Sequence, residues 1–136
     1  RGPAEFHGFE GNVRRLGHIP GAVNVPVAAM HVPGTQRLRD PADLRSILLR
    51  ANITRGRRLV CYDQSGVAAA KLAWVLTLLG HEDVAVYDGG WAEWGDRLDL
   101  PVDRFREVVR ETVGELTGSE REFQEEMRVL LGRSAG

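Results

Sequence analysis

The stretch Arg58-Leu-Val-Cys-Tyr-Asp-Gln-Ser-Gly66 constrains this chain more than any other. An apolar run of strand length, residues 59–62, meets a short polar loop. The apolar helical pattern of residues 67–79 follows, and Gly80 stands where a helix would stop. A second short apolar run, residues 84–87, leads into Asp88-Gly-Gly-Trp-Ala-Glu-Trp94. Strand, loop, helix and strand in this order predict an α/β unit with parallel strands. The continuous apolar character of residues 59–62 suits a central parallel strand. A loop between a strand's end and a helix's start presents backbone N–H groups, which suits anion or thiolate chemistry.

The flanking sequence extends the pattern. Residues 23–25 predict a short strand, bounded by Pro20-Gly21 and Pro26. Residues 27–32 predict a helical turn. Asp40-Pro41 predicts a helix start, an N-cap acid before a first-turn proline, with Leu44, Ile47, Leu48 and Ala51 at helical spacing. Beyond Asp99-Leu-Pro101 the character changes. Phe105, Val108, Val109, Val113 and Leu116 share one helical face, and Phe123, Met127, Leu130 and Leu131 another, with Ser119-Glu-Arg-Glu122 between them as a capping box. Two amphipathic helices joined by a short turn predict a helical hairpin. The expected organisation is a domain over residues 1–101 and a helical extension over 102–136.

Composition excludes several functions. The net charge of −1 over 136 residues gives no basic field for nucleic acid or an anionic membrane. No apolar run is long enough to span a bilayer. One cysteine cannot build an internal disulfide, and one cysteine with four histidines shows no metal-ligand spacing. No cofactor or metal is expected, and a cytoplasmic location is the default.

Three blocks in order carry a family resemblance: Gly17-His-Ile-Pro-Gly-Ala22, the loop Asp63-Gln-Ser-Gly-Val-Ala68, and Tyr87-Asp-Gly-Gly-Trp-Ala-Glu-Trp94. Together they resemble the rhodanese family of sulfurtransferases. The resemblance implies a rhodanese-like α/β domain, a parallel central sheet flanked by helices, to which this chain adds its C-terminal hairpin. It implies that the loop's first residue should be the cysteine that carries the transferred sulfur, and that position holds Asp63. It places Gln64, Ser65, Gly66, Val67 and Ala68 in the equivalent of the active-site loop. It gives His18, Gly21, Gly89, Gly90, Trp91 and Trp94 structural work, with a general base as the alternative for His18. Arg1 matches the end of an Asp-x-Arg that closes the family's first strand, so that strand is expected just upstream. Arg97-Leu-Asp-Leu-Pro101 resembles the end of a second rhodanese domain, whereas Asp63 resembles a silent first one, and both origins stay open.

A carboxylate at position 63 can accept the loop's N–H bonds or cap the following helix, but it cannot accept and release sulfur. No catalytic residue is therefore expected in the loop. Cys61, the only thiol, is the alternative, although strand alternation points it into the core. The reading is a non-catalytic rhodanese-like module for protein interaction, regulation or support of an active partner domain. The alternative is a sulfurtransferase acting on thiosulfate, 3-mercaptopyruvate or a protein persulfide, through Cys61 or a cysteine of another domain or chain. A protein partner or self-association is expected through the sheet edge or residues 103–131.

Overall fold

A computed structural model of the chain describes residues 1–104. The expected hairpin lies outside the described residues. Helix α1 (Pro3–Phe6) comes first, followed by a 3-10 turn (Val27–Met30) and helix α2 (Pro41–Arg50). Strand β1 (Leu59–Cys61), helix α3 (Val67–Leu78), strand β2 (Val84–Val86) and helix α4 (Gly90–Trp94) complete the order. The strands pair in parallel, Leu59 opposite Val84 and Cys61 opposite Val86, with α3 as the crossover between them.

Local sequence accounts for the elements. Asp40 precedes α2 and Pro41 opens it, as expected, but the Asp40 carboxylate makes no cap bond; its backbone carbonyl accepts the Leu44 N–H at 3.0 Å. Leu44 and Leu48 are buried, with Ile47 and Ala51 packed beside them. Helix α3 is apolar nearly all round, interrupted by Lys71 and Thr77. It buries Ala69, Val75 and Leu76 and leaves Val67, Trp74 and Leu78 exposed. Its end is a Schellman motif: Gly80 N–H donates to Thr77 and His81 N–H to Leu76, both at 3.0 Å, and the left-handed φ of 92° at Gly80 permits the reversal. The core joins Val25, Met30, Leu44, Leu48, Cys61, Ala69, Val75, Leu76 and Leu79.

Three expectations are corrected. Residues 23–25 form no ladder, because among the described residues β1 pairs only with β2. Both strands end one residue earlier than predicted. Tyr62 has turned toward the first block, where its hydroxyl accepts the Ile19 N–H at 3.0 Å. Val60 is 57% exposed, so β1 is not covered on both faces as a central parallel strand would be.

The first block is tied to the end of the described unit. His18 and Asp103 exchange backbone bonds of 2.9 Å in both directions. Gly17 beside them has φ of 124°, and a Cβ there would lie 2.2 Å from the Asp103 carbonyl oxygen. Gly34 also has a left-handed φ, 72°, but faces open space. Replacing Gly34 with alanine should cost about 1 kcal/mol of backbone strain. Gly17→Ala adds overpacking against backbone and should cost about 3 kcal/mol. Denaturant unfolding of the two variants checks this; equal losses would mean that Gly17 does not approach Asp103.

Candidate functional site

The first N–H groups of a helix have no partner within it. At α3 they meet Asp63, which sits where β1 gives way to the loop. Asp63 is 7% exposed, and its carboxylate turns forward into the loop. Oδ1 accepts the Gly66 N–H in a short bond, and Oδ2 accepts the Ala68 N–H at 3.0 Å. Gly66 makes this closure possible with φ of 98°. The carboxylate thus occupies the focus of the donors that the loop presents.

The loop is held from its other side by the start of α4. Trp91 N–H donates to the Asp63 carbonyl at 2.8 Å, and Ala92 N–H to the Gln64 carbonyl at 3.1 Å. Gly90 allows this approach: a Cβ there would lie 2.6 Å from the Asp63 carbonyl oxygen, and its φ is 57°. Gly89, one residue earlier, would place a Cβ against the Glu93 side chain. Trp91 is fully buried, and the Arg1 guanidinium lies 4.8 Å from its ring centroid. The same guanidinium donates to the carbonyls of Gly17, at 2.6 Å, and Glu5, at 2.8 Å. Burial holds the Arg1 pKa below its usual value, opposed by the nearby Tyr62, Glu5 and Asp63. The motif pattern singles out both Trp91 and Arg1 but does not pair them. Nothing in a one-dimensional pattern joins residue 1 to residue 91.

The remaining expected residues hold the surroundings. His18 Nδ1 bonds the Phe6 carbonyl at 2.8 Å, and its ring stacks on Phe6 with centroids 4.0 Å apart. Gly21 has φ of 78° in the turn closed by Ala22 N–H and the Ile19 carbonyl, a type II arrangement after Pro20. Trp94 is half-buried, and its Nε1 donates to the Pro101 carbonyl at 2.8 Å. In the loop Gln64 is half-buried and Ser65 exposed. Val67, also exposed, opens α3. Among the described residues no group of three His, Cys, Asp or Glu side chains could hold a metal ion, and no helix is long and apolar enough to cross a membrane.

Cys61 is on β1, 5% exposed and packed in the core. Burial pushes its thiol up to about 11. A thiol is nucleophilic only as its thiolate, so Cys61 is chemically quiet near neutral pH.

Compared with known families, residues 1–97 match the rhodanese-like domain. The chain belongs to the rhodanese family. Among its curated relatives, it is 38% identical to a 3-mercaptopyruvate sulfurtransferase of Escherichia coli over 89 residues, covering 65% of this chain and 31% of the relative. It is 39% identical to a thiosulfate sulfurtransferase of Corynebacterium glutamicum over 113 residues, covering 76% and 36%. It is 36% identical to the sulfur carrier protein TtuD of Thermus thermophilus over 95 residues, covering 68% and 33%. The chain therefore spans about a third of the length of these relatives. Among solved structures, the Tum1 protein from Saccharomyces cerevisiae aligns with a TM-score of 0.60 and 28% identity, over 69% of this rhodanese chain and 34% of Tum1. EanB aligns with a TM-score of 0.68 and 23% identity, over 76% and 26%, a likeness of fold. The rhodanese-like α/β fold, with its parallel sheet flanked by helices, is shared with these proteins.

The quiet state of Cys61 has a direct check. With the thiol at about 11, roughly one molecule in a thousand is thiolate at pH 8. Iodoacetamide should alkylate the folded protein more than about a hundredfold slower than a free peptide thiol, and the denatured protein at the ordinary rate. Rapid alkylation of the folded chain would mean that Cys61 reaches solvent.

Proposed function

We propose that this chain is a non-catalytic rhodanese domain of a sulfurtransferase, supporting an active domain whose cysteine, in another part of the polypeptide or in another chain, carries the sulfur. The observation that carries this reading is the Asp63 carboxylate filling the N–H cradle of the loop. In a sulfur-transferring rhodanese loop that focus would hold a thiolate. The thiolate attacks the sulfane sulfur of a donor, the donor's remainder leaves with the bonding pair, and a persulfide forms. An acceptor nucleophile then takes the outer sulfur and releases the thiolate. A carboxylate can receive the same N–H bonds and perform neither step.

The relatives support sulfur transfer as the activity of the whole protein, since two carry the names 3-mercaptopyruvate and thiosulfate sulfurtransferase. Each is about three times as long as the matched region, which leaves room for a second domain of similar size. The division of labour in this reading is physical. Asp63 keeps the loop shaped without a reactive group, and the domain's surface supports its neighbour. The reading in which Cys61 acts is disfavoured by its burial and its raised pKa.

An assay of the 136-residue chain tests the reading. With thiosulfate and cyanide, or with 3-mercaptopyruvate and a thiol acceptor, the rate should equal the no-protein rate. Turnover above that background which Cys61→Ser abolishes would overturn the proposal and assign the chemistry to Cys61.

A further inference from the structure

Helix α4 has five residues, too few to hold its shape alone, so its place must be set by contacts from elsewhere. Its amino end grips the loop: the Trp91 and Ala92 N–H groups hold the Asp63 and Gln64 carbonyls. Its carboxyl end leaves carbonyls without helical partners, as the end of any helix does. One side chain from the segment of residues 11–16 gathers them. Arg15 donates from Nη2 to the Trp94 carbonyl at 2.9 Å and from Nε to the Gly95 carbonyl at 3.3 Å. Nη1 donates to the Leu100 carbonyl at 2.5 Å, and Nη2 also makes a short bond to the Arg97 carbonyl. The Gly95 and Leu100 carbonyls have no backbone donor among the described residues.

Arg15 is itself held in place. On one side the Arg14 N–H donates to Asp96 Oδ1 at 3.1 Å, and on the other the Leu16 carbonyl accepts Arg104 Nε at 2.8 Å. The half-buried side chain is thus presented from a fixed backbone. All three of its nitrogens are used, on four carbonyls. A guanidinium carries its donors in a planar fork, whereas a lysine ammonium carries them on a single nitrogen and cannot span this spread. A positive charge also suits the carbonyl end of a helix. Burial of the Trp91 ring holds α4 against the core, but apolar burial is non-directional and does not aim the N–H groups. The bonds at the carboxyl end supply the missing direction.

We propose that Arg15 is a positioning residue for the Asp63 loop and acts through α4. By holding the carbonyls of Trp94, Gly95, Arg97 and Leu100 it fixes the helix whose amino end holds the carbonyls of Asp63 and Gln64. The fork of the guanidinium is required, so lysine does not replace arginine at this position. The inference rests on the geometry of the loop and is independent of the sulfur chemistry.

Amide hydrogen exchange of the full chain, unsubstituted and with Arg15→Lys, tests the proposal. In Arg15→Lys the Trp91 and Ala92 amides should exchange at least about tenfold faster, and the Leu79 amide, bonded to the Val75 carbonyl at the far end of α3, should change less than about twofold. Arg15→Ala should give the same pattern. Unchanged exchange at Trp91 and Ala92 in the folded Arg15→Lys protein would overturn the proposal. So would an equal acceleration at Leu79, because Arg15 would then serve overall stability alone. A second measurement needs no substitution. Carbonyls hold both Nη groups of Arg15, so rotation of the guanidinium should be slow and its Nη proton resonances separately resolved by NMR. A single averaged Nη resonance for Arg15 would show that the fork is not held, and would overturn the proposal as well.

Discussion

The two hydrogen bonds from Gly66 and Ala68 to the Asp63 carboxylate are the interaction on which the rest of this site depends. They answer a general problem, the unpaired N–H groups at the start of a helix, with a residue fixed at the end of a strand. One side chain thereby joins β1 to α3. The backbone carbonyl of the same residue accepts the Trp91 N–H, so Asp63 also joins β1 to α4. Three elements that are separate in sequence converge on one residue. The anion that the loop is built to hold is part of the chain itself.

The convergence sets local requirements around it. Gly90 must lack a side chain because the Asp63 carbonyl occupies the space of a Cβ. Trp91 is fully buried, and Arg1 covers its ring while bonding Gly17 and Glu5. The first block of the sequence is thus tied to the last block of the site through one guanidinium. Cys61, two residues before Asp63, lies on the same strand but inside the core, where burial suppresses its thiolate.

Much of this was legible in the sequence, for local reasons. Residues 59–62 and 84–87 read as strands from apolar runs, each one residue longer than the strand that forms, and α3 read as a helix ended by Gly80, whose left-handed φ completes the Schellman motif. Pro20-Gly21 read as the boundary of a short segment, and it forms a turn. What the sequence did not disclose depends on contacts between distant segments. Residues 23–25 have strand composition, but a strand exists only with a partner, and among the described residues they have none. The position of Arg1 over Trp91 leaves no periodic trace. Asp63 could be placed in the loop by resemblance, but the direction of its carboxylate, toward Gly66 and Ala68, is a property of the folded loop.

The central claim is that the loop is a formed anion cradle filled by a carboxylate. Its most direct test is the thiol pKa of Asp63→Cys in a Cys61→Ser background, measured from the pH dependence of alkylation. A thiolate in place of the carboxylate would receive the same N–H groups at a helix start, and its pKa should fall at least about one unit below the free-thiol value of about 8.5. A folded variant whose thiol titrates at or above the free value would show that the N–H groups do not converge there, and would contradict the account.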